Sequence, residues 1–357
     1  MKKAITITTI NLPTVLEDYA LNINKFNQKN VEMIVVGDLK TPRDVSQYCN
    51  KISNSYDLPI HYLSIESQKK YLKKYRKLDQ YLPHNSFARR NIGDLFAYES
   101  GFDMVIRIDD DNYPTKDDFV GGHSVVGENI NTSCISTKSD WYNVCEQLID
   151  KDGIPFYPRG YPYSKRWVKD ESHVVSKNVK IIVNAGLWLG DPDVDAVTRL
   201  CKPIDAIKFT KTYGSNFCLD IGTWCPINTQ NTSYHREIIP AAFVPPNVGR
   251  YDDIWSGYLM RKVMDQSDLY VSYGSPLLKQ LRNEHNLWSD LDLELNGNIH
   301  TDHLIEALQN IDVGNGDILD KYHKLAIGLD KEISQNREIF SGVIEGMLSW
   351  IDSIEKI

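Results

Sequence analysis

Three consecutive aspartates, Asp109, Asp110 and Asp111, follow the apolar run "MVIRI" and precede "NYP". Like charges side by side repel one another, so a positive group is expected among them. An acidic turn is the ordinary alternative, since Asn and Pro follow at once, but a turn uses only one such carboxylate. Carboxylates two apart at a strand end can hold a hard divalent cation through oxygen. Mg²⁺ or Mn²⁺ bound this way keeps positions open for substrate phosphates and would neutralise a departing diphosphate. Asp109 and Asp111 are the candidate ligands, directly or through water, and Asp110 is the alternative.

Other residue types point to chemistry nearby. Arg89, Arg90 and Asn91 open a helix-like segment. Cations at a helix N-terminus oppose its dipole, which suggests anion binding against the alternative of a surface ion pair. "GRYDDIWSGY" places Asp252 and Asp253 before a helical spacing. One is expected to cap the helix; the other, with Asp253 preferred, is a candidate general base toward a hydroxyl. In "NAGLWLGDPD", Gly186 permits close approach of a ligand and Trp188 either stacks on a sugar face or fills the core. Asp191 and Asp193 read as turn residues or sugar-hydroxyl contacts. Arg282, Asn283 and His285 form a late polar cluster.

These residues need a scaffold. Strand-like runs at 4–10, 31–38, 59–65 and 103–111 alternate with helical spacings after Pro13, across "RDVSQYCNKI" and over 86–101. That β-α-β-α-β-α-β order predicts an α/β fold with a mostly parallel sheet covered on both faces, whose ligands bind at the carboxyl ends of the strands. Asp38 and the aspartate triplet both fall there. Beyond residue 120 the pattern loosens; 180–190 and 239–246 read as short strands among loops rich in Tyr, Trp and Pro. From about 266 the spacing turns helical. The expected division is a catalytic unit at 1–265 and a helical C-terminal extension at 266–357, which either caps the core or serves homo-oligomerisation.

Composition limits the function classes. The chain has 357 residues, 41% of them hydrophobic, and a net charge of −8. An acidic balance argues against a general nucleic-acid or anionic-membrane binder. No apolar stretch is long enough for a membrane span, and the start reads as a strand rather than a leader. Six scattered cysteines without CxxC spacing predict reduced thiols and a cytoplasmic setting.

The triplet, with "ARRN" on the preceding helix, resembles the donor half of GT-A glycosyltransferases. "VVGDLKTP" and "YLPHNSFARRNIGDLFAYESG…DDDNYP" resemble the STELLO-type glycosyltransferase domain. "RGYPYSKR", "GLWLGDPDVDA", "REIIPAAF" and "VGRYDDIWSGYL" resemble the plant reversibly glycosylated polypeptides, the UDP-arabinopyranose mutases. Together these likenesses cover about residues 4–265 and leave the tail outside. They imply a metal-dependent transferase acting on a nucleotide-sugar, with a UDP-sugar donor and a glycan or other hydroxyl acceptor; a sugar mutase or self-glycosylating protein is the alternative, and a non-catalytic nucleotide-sugar-binding protein a third reading. They further imply uracil recognition by Asp38, nucleoside contacts from Thr8 and Thr9, a diphosphate or sugar role for Arg90, Arg159 and Arg166, and His285 as a late metal ligand. The chain departs from the plant pattern by inserting "WVKDESHVVSKNVKII" before "GLWLG".

Overall fold

The computed structural model describes residues 1–168, 170–282, 286–333 and 337–357. His285 and Asn283, both singled out above, lie outside the described residues.

The first half follows the expected alternation. Strands β1 (Lys3–Thr9), β2 (Val31–Gly37), β3 (Ile60–Leu63) and β4 (Met104–Asp109) are parallel neighbours in the order β3-β2-β1-β4. The centres of β2 and β4 are continuous apolar runs, as a strand buried on both faces requires, whereas β1 alternates Ile with Thr and the edge strand β3 is only partly buried; Ile5, Ile34, Val35 and Ile106 are fully buried. Helices Val15–Lys25, Val45–Tyr56 and Arg90–Glu99 supply the crossovers. The register sets Thr8 opposite both Val36 and Asp109, and Thr9 opposite Gly37. Three strand ends are thus brought level at one edge.

After a short strand, β5 (Asn112–Pro114), the sheet continues through mixed pairings: β6 (Asn129–Thr137), β7 (Leu148–Asp150), β8 (Ser172–Gly190), β9 (Ala206–Phe209), β10 (Asn216–Leu219), β11 (Thr232–His235) and β12 (Tyr270–Gln280). The order runs on from β4 as β11-β8-β6-β10-β12-β5, with β11 antiparallel to both β4 and β8. Most of the inserted stretch noted above becomes the outer part of β8, paired antiparallel with β6 from Ser172 to Lys180.

Two expectations are corrected. Residues 239–246 are not a strand: Arg236–Ala241 is a 3₁₀ turn with Pro240 inside it, followed by irregular chain. Nor does the helical tail begin at 266, because Tyr270–Gln280 is a strand that pairs with β8, β10 and β5. Its Gly274, Pro276 and alternating polar residues hide the strand from a periodicity reading. The helices proper are Leu287–Asn310, Ile318–Glu332 and Arg337–Ile354. They pack on the core: the rings of Trp255 and Phe340 stack at 5.1 Å, and Trp350 Nε1 donates to Pro240 O at 3.0 Å. No helix among the described residues is long and apolar enough to cross a membrane. The six cysteines are free, and all but Cys201 are buried.

One charged pair lies inside this core. Arg107, on β4, and Asp94, on the helix before it, approach to 2.8 Å with both side chains essentially inaccessible. Arg107 Nη2 also donates to Ala242 O at 2.8 Å, and its guanidinium lies 4.3 Å from the Tyr234 ring centroid. Asp94→Ala would leave the guanidinium buried without its counterion, and a loss of about 3–5 kcal/mol is expected in urea unfolding. A loss below about 1 kcal/mol would show that the carbonyl and ring contacts suffice.

Candidate functional site

A cavity of about 760 Å³ opens where the ends of β1, β2 and β4 meet the loops of the second half. One wall is built from the parallel strands: Thr8, Thr9, Asp38, Ser86, Phe87 and Arg89 line it. Asp38, at the end of β2, accepts from Leu39 N at 2.7 Å and Ser86 N at 3.2 Å. Thr41 Oγ1 donates to Thr9 O at 2.7 Å and so ties the β1 and β2 ends together.

The aspartate triplet forms the floor, and all three residues line the cavity. Asn112 Oδ1 accepts from Asp109 N at 3.0 Å, which folds the tip back on itself. The positive group beside Asp109 is resident in the chain. Arg90 Nη2 donates to its Oδ1 at 2.8 Å, while Gln230 Nε2 donates to its Oδ2 at 2.7 Å. Burial pushes the Asp109 carboxyl above its ordinary range, with Arg90 and Gln230 opposing the shift. Asp110 accepts from Thr9 Oγ1 at 2.7 Å and Asn11 Nδ2 at 3.2 Å. Asp111 Oδ1 accepts from Asn112 Nδ2 at 3.1 Å. Among the described residues, no group of three His, Cys, Asp or Glu side chains converges as a ready metal centre. The floor therefore offers hard oxygen donors but no complete coordination shell. That suits an ion completed by water and substrate phosphate, as Mg²⁺ commonly is.

The opposite wall centres on Arg159. Its Nε and Nη2 donate to Asp193 Oδ1 and Oδ2 at 2.8 and 3.0 Å. Nη2 also reaches both oxygens of Asp253 at 3.1 and 3.2 Å, and Nη1 donates to Arg250 O. Burial works against this charge, yet the carboxylates of Asp193 and Asp253 hold the Arg159 pKa well above its ordinary value. Asp193 is reciprocally held at about 2: burial alone would raise it, and Arg159 outweighs burial. Gly160 makes the close fit possible, with φ of +81° and Ile254 Cγ2 only 2.3 Å from where a Cβ would stand.

Asp252 and Asp253 begin the helix Asp252–Asp265, and neither is its cap; Tyr251 holds that position without a side-chain bond. Both lie in the first turn, where the helix dipole favours anions. Their surroundings differ. Asp253 also accepts from Thr229 N at 3.2 Å and Thr229 Oγ1 at 3.3 Å, so its oxygens are engaged. Asp252 accepts from Asp253 N at 2.8 Å. Burial and the neighbouring Asp253 raise its pKa to about 7, against the weaker pull of Arg159 and Arg90. The geometry thus favours Asp252 over the expected Asp253 as the group that can exchange a proton.

Five expected site residues do not line the cavity. Asn91 donates to Val244 O at 2.7 Å and accepts from Val244 N at 2.9 Å, a structural clasp. Gly186 faces Asn231, whose Nδ2 lies 2.1 Å from a built Cβ, so its smallness serves strand packing rather than a ligand. Trp188 is buried in the core. Arg166 pairs with Asp195, which caps the helix Ala196–Cys201. Arg90, the fifth, donates to Asp109 Oδ1 instead. Conversely, Gln230, Arg250 and Gln280 line the cavity and were not expected; Asp193 and Arg282 line it too, having been noted only as polar residues.

Fold and site together describe a mixed α/β protein with an acidic, arginine-braced cleft at parallel strand ends. Residues 5–357 match the family model described as reversibly glycosylated polypeptide, and the chain belongs to that family. The match runs through the C-terminal helices, so the likeness does not stop near residue 265 as expected. Among curated proteins, the chain is 27% identical to UDP-arabinopyranose mutase 3 of Arabidopsis thaliana over 263 residues, covering 71% of this chain and 68% of that protein. UDP-arabinopyranose mutase 1 of Oryza sativa subsp. japonica is 26% identical with the same coverage. Two solved structures are similar to the chain at a low level. S. aureus TarS 1–349 with UDP-GlcNAc has a TM-score of 0.40 and 12% identity, covering 100% of this chain and 91% of that one. Glucosyl-3-phosphoglycerate synthase from Mycobacterium tuberculosis with Mn²⁺ and UDP-glucose has a TM-score of 0.43 and 10% identity, covering 84% and 78%.

The unequal environments of the acidic pair yield a stability contrast. A carboxyl whose folded pKa is raised from 3.8 to about 7 costs nothing well below pH 4. Its penalty builds as pH climbs from about 4 to 7 and is constant above. Asp252→Asn should therefore raise Tm by several degrees at pH 8 but not at pH 4. Asp253→Asn should lower Tm at pH 8, since it strips Arg159 of one counterion. Equal shifts in thermal unfolding of the two variants would refute the division.

Proposed function

We propose that the cavity binds a UDP-sugar and that the enzyme reversibly breaks the bond between the sugar and the diphosphate. The observation that carries this reading is the single cleft itself. Asp38 and Thr9 stand at strand ends on one side, Asp109–Asp111 form the floor, and the proton-exchanging Asp252 is on the far wall. Family membership supports a sugar-modifying role, and the relatives named as UDP-arabinopyranose mutases support ring isomerisation of a UDP-pentose as the first reaction to test. Transfer of the sugar to a hydroxyl acceptor is the second reading, favoured by Asp252: a buried carboxylate with a raised pKa can take a hydroxyl proton near neutral pH.

In this reading Asp38 and Thr9 hold the nucleoside. Asp111 and Asp110 are the carboxylates that would hold Mg²⁺ or Mn²⁺, with Asp109 already committed to Arg90 and Gln230. When bound, such an ion supplies charge neutralisation at the diphosphate. Arg159 is a positioning residue rather than a nucleophile: its guanidinium is protonated and its donors are spent on Asp193, Asp253 and Arg250 O. Its contribution is to hold the Asp253 carboxylate in place beside Asp252; burial and that neighbour raise the pKa of Asp252, against the pull of Arg159 itself. The groups facing Asp252 are Asp253, Arg159 and Arg90.

Incubation with UDP-arabinopyranose and Mn²⁺, without acceptor, should yield the furanose isomer without net release of UDP. UDP release that requires an added acceptor would instead select the transferase reading. Binding without either product would leave a non-catalytic role. For an active enzyme, kcat/KM should rise as pH passes through about 7, where Asp252 loses its proton. That limb should vanish in Asp252→Asn, together with at least about 100-fold of the rate; a variant retaining both would remove Asp252 from the chemistry.

A further inference from the structure

Three residues of the cavity wall carry buried polar atoms without a hydrogen-bond partner among the described residues: Gln230 Oε1, Gln280 Oε1 and Arg282 Nε. Unpaired buried polar atoms are few in native proteins, and each asks for an explanation. Arg282 is the sharpest case. Its side chain is only 9% exposed, and its one ionic contact among the described residues is Nε to Asp191 Oδ2 at 3.3 Å. Asp191 is not its own counterion alone, because Arg199 pairs with the same carboxylate. Burial and the like charge of Arg199 hold the Arg282 pKa below its ordinary value.

The other cavity arginines are committed elsewhere. Arg159 is spent on Asp193 and Asp253, Arg250 is held by Asp290 and Glu294, and Arg89 donates to Gln68. Arg282 therefore has capacity for an incoming anion. A planar fork that shares its counterion with a second arginine suits a phosphate better than a point charge would. Gln280 ends β12, two residues earlier, and lines the same cavity. Its unpartnered carbonyl oxygen can accept from a hydroxyl, the group a sugar presents.

We propose that Arg282 and Gln280 form the sugar-phosphate end of the binding site, with Arg282 on the terminal phosphate of the nucleoside diphosphate and Gln280 Oε1 on a hydroxyl of the sugar. This rests on the UDP-sugar reading above and assigns its outer half to the end of β12. The Arg282 contact is direct, so it acts whether or not a divalent ion is present.

The test is calorimetric titration of the full chain with uridine, UMP, UDP and UDP-glucose, in Mn²⁺ and again in EDTA. Arg282→Gln should weaken UDP and UDP-glucose about tenfold or more, as loss of a charge-assisted contact does, in both buffers, with uridine and UMP within twofold. Arg282→Lys should recover part of the loss, and its melting curve checks the fold. Gln280→Leu should weaken UDP-glucose while sparing UDP. Unchanged UDP affinity in Arg282→Gln, or equal loss across all four probes, would overturn the subsite while leaving the UDP-sugar reading in place. An unmodified chain that binds none of the probes would sink both.

Discussion

A single guanidinium holds the far wall of the cleft in shape. Arg159 joins its own loop to Asp193 beyond β8, to Asp253 at a helix start and to the carbonyl of Arg250. Asn228 and Thr229 complete the carboxylates' shells from a further segment. Burying an arginine between two carboxylates is costly unless nearly every donor and acceptor is matched, and here the match draws on residues from 159 to 253. The penalty for losing any member is what makes the arrangement specific. It also fixes what Arg159 cannot do: its donors point inward to the protein and are not held in reserve for a substrate.

The same economy governs the floor. Asp109 would be an uncompensated charge at the tip of a buried strand, and Arg90 answers it from the adjoining helix. Arg90 is itself packed against Phe87, with its guanidinium 3.6 Å from the ring centroid. Two of the cleft's strongest charges are thus neutralised before any ligand arrives. Around them the cavity is lined by strand-end groups on one side, by Asp110 and Asp111 on the floor, and by Gln230, Gln280 and Arg282 on the other.

The parallel half was legible because its signals are local. Continuous apolar runs such as "VEMIVVGD" and "DMVIRIDDD", separated by helical spacings, leave little choice of topology, and a strand-end site follows from topology alone. The second half depends on pairings that no window of sequence contains. Strand β12 carries a glycine, a proline and polar residues, since it meets three different partners along its length, and periodicity therefore failed there. Missing that strand also meant missing Gln280 as a wall residue. The triplet and its need for a cation were readable, but not that Arg90 supplies one, because the partners are 19 residues apart and on different elements. Gly186 and Trp188 carried the right residue types for a sugar site yet serve the core. Residue type alone does not distinguish close packing of protein on protein from close packing of protein on ligand.

Asp252 and Asp253 make the strongest case for reading roles from surroundings. They are adjacent, chemically identical and both set in the first turn of one helix. Asp253 is turned to Arg159 and Thr229, which hydrogen-bond it in place. Asp252 receives little of that support and instead feels the charge of its neighbour in a buried setting, which lifts its pKa to about 7. Arg159 holds Asp253 in place through two contacts, while its pull on Asp252 is too weak to offset burial and the neighbouring carboxylate. The two carboxyls therefore meet different surroundings, and that difference would fail if Arg159 were free to swing toward a ligand. The clamp on Arg159 and the raised pKa of Asp252 are therefore two consequences of the same buried ion network.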